Sequence, residues 1–298
     1  MDWVARTIGD ATFDRLAREL AGSELQSVLL EVLRARARER TPADVLAQYR
    51  RDRFVMPANV DQRESVAIDA HLLAAAADFE ALELSPVTPL GTSSTVGLSD
   101  QNRVLSALRA TEVVSDPTNV LALECAARMR GTPARPGPFH LATSQRVIRA
   151  QPVPKLPGYA QHFRLFVLAS GGIETRDHAF TVDTLVDHIE TLGAALDRLE
   201  QHGYAFGTRR VDILATSERA VLGDRIAARV GGTRKLLEHA YYSGGLRFML
   251  WVTAADGREI PLGDGGAFDW LTKLAANRRA VFIGSGLGAQ LISALFRR

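Results

Sequence analysis

Apolar positions near the start of the chain recur at three- and four-residue spacing. The run Phe13-Asp14-Arg15-Leu16-Ala17-Arg18-Glu19-Leu20 keeps one apolar stripe, and Leu25, Val28, Leu29, Val32 and Leu33 continue the period. This predicts two or three amphipathic helices between Phe13 and Phe54. Thr41-Pro42-Ala43-Asp44 supplies an N-cap, a proline at the first helical position and a first-turn acid, so one of them starts at Pro42 and runs toward Tyr49. From Asp61 the pattern becomes mixed. A long alanine-rich helix is expected from Glu64 to Ala77, then a half-buried strand from Phe79 to Val87 that stops at Pro86. Short strands are expected around Thr95 to Leu98 and Arg103 to Leu108, then comes the segment Thr111 to Asn119 and the helix that carries Cys125. Strands Leu141 to Arg149 and Phe163 to Leu168 flank a proline-rich loop, Pro152 to Pro157. An earlier Gly/Pro loop, Gly131 to Pro138, is an internal excursion. The strongest helix runs from Thr181 to His202 with Val182, Leu185, Ile189, Leu192, Ala195 and Leu199 on one face, and Gly203 ends it. Strand Arg210 to Leu214, helix Glu218 to Val230 and strand Leu246 to Val252 follow, and Asp256-Gly257 marks a hairpin turn. The reading is an α+β chain with an N-terminal helical region, 1–60, and one mixed core, 61–298.

Composition narrows the class. With 298 residues, 46% of them hydrophobic, the chain can bury one large core or two smaller ones, and no apolar stretch reaches the length of a membrane span. A soluble protein with no membrane partner is expected. Met1-Asp2-Trp3 lacks the succession of a secretory signal, so the expected compartment is cytoplasmic. One cysteine, Cys125, allows no internal disulfide and no cysteine-based zinc cage, and its helical context marks it as a packing thiol. His188 and His202 read as exposed and have no partner at metal-binding spacing, so no metal site is expected. Thirty-six basic residues against 34 acidic ones leave a net charge of +2 and no general field for DNA. RNA binding would need a local patch such as Arg34 to Arg40 with Arg50 to Arg53, although a solvated helix face is the favoured reading of those arginines.

The residues that carry chemistry cluster in short segments. Asp116-Pro117-Thr118 precedes the Cys125 helix and is an ordinary N-cap by type. Arg149 offers a planar fork suited to a phosphate or carboxylate. Toward the end come Tyr241-Tyr242-Ser243-Gly244, then Asp264-Gly265-Gly266-Ala267-Phe268-Asp269, then Gly284-Ser285-Gly286-Leu287-Gly288 between a strand and the final helix. The glycine-rich turn is not a dinucleotide fingerprint, because that motif opens a unit of roughly thirty further residues. Only ten residues follow Gly288.

The order of these segments resembles the core of a class II aminoacyl-tRNA synthetase, in its histidyl branch, from about Glu64 to Ile292 and most closely after Ala240. The resemblance implies a central antiparallel β-sheet flanked by helices, and a homodimer formed through the motif 1-like helix and strand ending at Pro86. It implies that Asp116 and Thr118 stand where an acid and a hydroxyl receive the substrate amino group, with Val114 replacing the arginine of that segment. Arg149 stands for the motif 2 arginine, Gln151 where a carboxylate follows it, and Phe163 where a ring stacks on adenine. Tyr241, Tyr242, Gly265, Gly266, Asp269, Gly284, Gly286 and Gly288 complete the implied ligand pocket, with Gly265-Gly266 read as a turn. The departures fall on ATP-handling groups. Leu291 replaces the motif 3 arginine, Ala267 replaces another, Leu237-Glu238-His239-Ala240 replaces Arg-Gly-Leu-Asp, and Arg164-Leu165-Phe166-Val167-Leu168 lacks the usual glutamine or glutamate.

Those losses imply a paralogue not competent for ordinary tRNA aminoacylation. The expected role is regulatory or sensing, with a small amino-acid-like ligand and no certain cofactor, as in the ATP phosphoribosyltransferase regulatory subunit, which has a histidyl-synthetase-like core. The competing class is a carboxylate-activating ligase using ATP and Mg with Arg149 and a recruited arginine such as Arg247, and a third is a tRNA-binding module. Beyond the homodimer, the partners implied are a catalytic enzyme subunit or tRNA. The usual C-terminal anticodon-binding domain is not expected.

Overall fold

The structure is a computed structural model describing every residue except Met1, Thr132, Pro136, Lys155 and Ala240, so parts of the Gly131 to Pro138 loop, the Pro152 to Pro157 loop and the Leu237 to Ala240 segment lie outside the described residues. The N-terminal region forms α1 (Asp2–Ile8), α2 (Asp10–Asp14), a π-helical turn Arg15–Glu19, α3 (Gly22–Arg38) and α4 (Pro42–Arg51). Thr41 caps α4 as its sequence dictates: its hydroxyl accepts from the Asp44 N–H at 3.2 Å, and Asp44 accepts from the Thr41 N–H at 2.9 Å. Among the described residues none of α2, α3 or α4 is buried, and Val32, Leu33, Val45 and Leu46 stay exposed.

The core starts with α5 (Gln62–Ala75), capped by Asp61, whose carboxylate accepts from Arg63 N–H. The strand expected from Phe79 to Val87 is replaced by two pieces, β1 (Glu80–Ala81) and β2 (Val87–Pro89). The cause is in the pattern: Phe79 has odd parity while Leu82 and Leu84 are even, so no single face stays apolar through the run. Pro86 then removes a ladder donor. The strand expected at Thr95 to Leu98 is also corrected, because Thr92–Val96 is a π-helical turn. The buried Glu112 carboxylate explains it, accepting from the N–H of Gly91 and of Ser93 at 2.8 Å each and drawing that backbone into a curl. Burial opposes its ionisation, but bonds from Gln101, Ser93 and Gly91 hold Glu112 below the usual carboxylate range. The stretch from Arg103 to Leu108 contributes only β3 (Ser106–Ala107), which pairs with β4 (Thr111–Val113), and β4 pairs with β2.

After α6 (Pro117–Arg130) come β5 (Phe139–Ile148), β6 (His162–Ile173), α7 (Ala179–Glu200), β7 (Arg209–Ala215), α8 (Ala220–Val230), β8 (Thr233–Leu236), β9 (Leu246–Thr253), β10 (Glu259–Phe268), α9 (Trp270–Leu274), β11 (Ala280–Leu287) and α10 (Ala289–Leu295). Strand β8 carries no alternation of burial and was not legible as a strand. The main sheet has order β1-β5-β6-β11-β10-β9-β7-β8; its six central strands are antiparallel and its edges β1 and β8 pair in parallel. Helices α5, α7, α8 and α10 pack on one face with Phe166, Leu168, Phe248 and Leu250. Helices α6 and α9 pack on the other with Leu141, Val167, Phe268 and Phe282. This is the α+β architecture with a central antiparallel sheet flanked by helices that the sequence implied.

Two further corrections concern residues singled out in the sequence. Gly265 and Gly266 are not a turn but lie inside β10, opposite Ser285 and Gly284 of β11. His188 is not exposed: it is fully buried on α7, with Nε2 2.8 Å from Ser170 Oγ and Nδ1 2.7 Å from Ser285 Oγ. Burial pushes its imidazole down to about 3, so it is neutral, with one nitrogen donating and the other accepting. Its spacing from Leu185 and Leu192 had placed it on the apolar face all along.

Candidate functional site

A cleft of about 420 Å³ opens on the α6 face of the sheet. Period-two alternation builds its floor. Phe248 and Leu250 enter the opposite core, so Arg247 and Met249 must face the cleft, alongside Asp264 of β10 and Gly284 and Gly286 of β11. Gly284 has a steric reason to be glycine, since a Cβ there would sit 2.2 Å from Thr118 Cγ2. The start of α6 therefore lies directly on the sheet.

At that start Asp116 does two jobs. Its Oδ1 accepts from the Thr118 N–H at 3.0 Å, the N-cap bond, while Oδ2 accepts from the Tyr241 hydroxyl at 3.1 Å. Arg149 Nη2 lies 3.8 Å from the same Oδ2. The guanidinium is held from behind by an Nε bond of 3.0 Å to the Ser115 carbonyl, and its Cζ sits 5.3 Å from the centroid of the Phe163 ring. The acid and the arginine are thus neighbours in the cleft.

Tyr241 and Tyr242 pack edge to face with centroids 5.3 Å apart. Burial first, and then the charge of Asp116, pushes the Tyr241 phenol well above its usual range. Tyr242 is raised by burial and by Asp264, to which its hydroxyl donates. Both phenols are therefore neutral donors at ordinary pH.

Eleven of the residues singled out in the sequence line this cleft: Asp116, Thr118, Arg149, Gln151, Phe163, Tyr241, Tyr242, Gly265, Gly284, Gly286 and Gly288. Two others lie beneath or beside it. Gly266 is covered by the Tyr242 ring, and a Cβ would meet Tyr242 Cδ1 at 2.5 Å. Asp269 accepts from Ser243 Oγ at 2.7 Å and pairs with Lys273 at 2.7 Å, which ties the Tyr241 to Gly244 segment to the end of β10. Burial opposes its charge, but Lys273 and Ser243 hold its carboxyl low. Arg164, Asp264 and Gln290 also line the cleft and were not among the candidates; Arg247 figured only in the ligase reading. Strand parity alone would have found Arg247 and Asp264.

Where motif 3 would place its arginine, Leu291 packs beneath Gly158 of the proline-rich loop; a Cβ on that glycine would meet Leu291 Cδ2 at 2.9 Å. Gln290 fixes the same loop by donating from Nε2 to the Gly158 carbonyl at 3.1 Å. The first turn of α10 is thus a hydrophobic clasp for the loop. The described arginines lining the cleft each lie against a carboxylate: Arg149 as above, Arg247 on Asp264 at 2.8 Å, and Arg164 on Asp69 at 2.5 Å.

No family model and no curated protein matches the sequence. Solved structures do. An ATP phosphoribosyltransferase regulatory subunit/histidyl-tRNA synthetase from Bacillus halodurans superposes with a TM-score of 0.59 at 15% identity, over 80% of this chain and 81% of that one. A histidine–tRNA ligase subunit from Alicyclobacillus acidocaldarius gives 0.60 at 14% identity over 80% and 95% of the two chains. Histidyl-tRNA synthetase from S. aureus gives 0.54 at 13% over 80% and 68%. The chain has the class II aminoacyl-tRNA synthetase fold, in the form shared by histidyl-tRNA synthetase and the ATP phosphoribosyltransferase regulatory subunit.

Proposed function

We propose that this chain is a synthetase-like paralogue that binds a small amino-acid-like ligand in a sensing or regulatory role and does not carry out ordinary tRNA aminoacylation. The observation that carries the reading is the convergence of Asp116, Thr118, Tyr241 and Arg149 in one cleft. An ammonium group would take Asp116 and the Thr118 hydroxyl, and a carboxylate would take the Arg149 fork, each as a charge-assisted bond. A triphosphate fits less well. Amino-acid activation depends on cations free to stabilise a transferring phosphoryl group, and two of the three described arginines of this cleft, Arg247 and Arg164, are hydrogen-bonded to carboxylates while Leu291 is apolar. ATP and Mg therefore enter no step here. The ligase reading is favoured by one feature, the Arg149 guanidinium over the Phe163 ring, the pair that the motif 2 resemblance assigns to a nucleotide.

Calorimetry of the purified chain with the standard amino acids and with ATP, alongside pyrophosphate exchange, separates the two. Binding of an amino acid without exchange supports the sensing reading; robust exchange replaces it with the ligase. The homodimer and cytoplasmic residence belong to the same proposal. Val87, Leu90 and Leu98, exposed beside the small β2-β4-β3 sheet, provide apolar surface for a two-fold contact. Light scattering at micromolar concentration should give twice the chain mass, and a monomer would count against the dimer. Among the described residues no helix is long and apolar enough to cross a membrane.

A further inference from the structure

A second charged cluster occupies the cleft away from Asp116. Tyr242 donates to Asp264 Oδ2, Arg247 Nη2 donates to the same oxygen at 2.8 Å, and the Arg247 Cζ lies 4.8 Å from the Tyr242 ring centroid. Its satisfaction is incomplete. Both donors share Oδ2, which leaves Oδ1 of the half-exposed Asp264 available, and Arg247 Nε is buried without a hydrogen-bond partner among the described residues. Arg247 has spent one N–H of its five on Asp264.

A pair kept only for stability is better replaced by apolar residues, because desolvation offsets the attraction of a half-buried ion pair. Here the pair stands on the glycine-rich floor of a ligand cleft, on adjacent strands, with an acceptor and a donor fork side by side. Its net charge is zero, so it favours a polar, uncharged group over a cation or an anion. We infer that Arg247 and Asp264, with Tyr242, determine specificity for the ligand's side chain, and that this side chain ends in a planar uncharged group presenting an N–H beside a carbonyl, as a carboxamide or ureido group does. A site built to hydrogen-bond such a group rejects an apolar isostere strongly, since the isostere leaves buried polar groups unpaired. This inference rests on the amino-acid reading of the same cleft.

The test is calorimetry of the full chain with L-glutamine, L-asparagine, L-citrulline, L-leucine, L-glutamate and L-lysine. At least one carboxamide or ureido amino acid should bind tenfold or more tighter than leucine, glutamate and lysine. In the double variant Arg247→Met/Asp264→Leu, and separately in the near-isosteric Asp264→Asn, that ratio should fall toward one, with circular dichroism confirming the fold. Leucine, glutamate or lysine binding as tightly as the amides in the unaltered chain overturns the specificity assignment while leaving the amino-acid reading intact. A preference that survives in a folded double variant overturns it too. No binding of any amino acid defeats both readings together.

Discussion

Stability should fall as the pH drops from 7.5 to 5, and His188 should account for most of the slope. The imidazole is fully buried between Ser170 and Ser285, and burial holds it down to about 3 from an ordinary 6.5. In the unfolded chain it takes up a proton below pH 6.5; in the folded chain it does not. The unfolded state therefore binds more protons in this window, and stability rises with pH. At pH 5, one and a half units below the unfolded value, the loss is about 2 kcal/mol at about 1.4 kcal/mol per unit. For a chain of 298 residues that lowers the melting temperature by about 3 °C. His140 and His71 are also shifted down by burial and add smaller terms of the same sign. Asp69 and Asp187, raised by burial, act oppositely toward the acid end, so the window stops at pH 5. Urea unfolding at pH 5, 6 and 7.5 reads the slope, and His188→Asn and His188→Gln should flatten it by about 2 kcal/mol whatever they do to the absolute stability. An unchanged slope in a folded His188 variant would refute the reasoning.

The remaining expectations are more local. Asp116→Asn keeps an N-cap acceptor and should still fold, yet weaken amino-acid binding by roughly 1 to 3 kcal/mol, up to about two decades in affinity; equal binding by calorimetry would reduce Asp116 to a cap. Gly266→Ala places a Cβ 2.3 Å from the Leu246 carbonyl and 2.5 Å from Tyr242 Cδ1 and should cost about 1–3 kcal/mol in thermal unfolding; a neutral effect would show that the β9 backbone and the Tyr242 ring both give way freely. Cys125, buried and pushed up to about 12, should resist a thiol reagent at pH 8 in the folded chain and react fully in urea. Rapid native labelling would contradict its burial.

What the sequence made legible follows a physical division. Helices announced themselves where a cap marks the start, as at Thr41, or where a 3.6-residue period is sustained, as along Val182 to Leu199. Of the long central strands, β5, β6, β7 and β9 were found from their apolar content, although β5 and β6 run beyond the expected bounds, and β10 was not. Failures occurred where a distant partner decides. Thr92 to Val96 curls because Glu112, far along the chain, takes its N–H groups, and no local propensity encodes that. Gly265-Gly266 was read as a turn from the resemblance, yet it pairs with β11 inside β10, where Ser285, Phe248, the Leu246 carbonyl and the Tyr242 ring leave no room for side chains. For the cleft, the polar residues on short motifs were named, but those on the strand faces were missed except Arg247.

The three described arginines of the cleft differ in what they can release, and this bears on ligand class. Arg164 is bonded to Asp69 at 2.5 Å, and that carboxylate also accepts from Ser144 at 2.5 Å. Separating them would strand a largely buried acid, a penalty of about 3–5 kcal/mol for a broken buried pair. Arg247 holds Asp264 at 2.8 Å and shares it with Tyr242. Arg149 alone among them sits 3.8 Å from its carboxylate, beyond hydrogen-bond length, with its Nε fixed on a carbonyl. A ligand carboxylate can take the Arg149 fork without breaking a hydrogen bond, and the Asp116 oxygen it leaves can turn its charge to an ammonium group. That exchange balances for a zwitterion. A triphosphate that drew on Arg164 as well would have to open its pair with Asp69, at a cost above the about 1.5–3 kcal/mol that a hydrogen bond to a charged group returns.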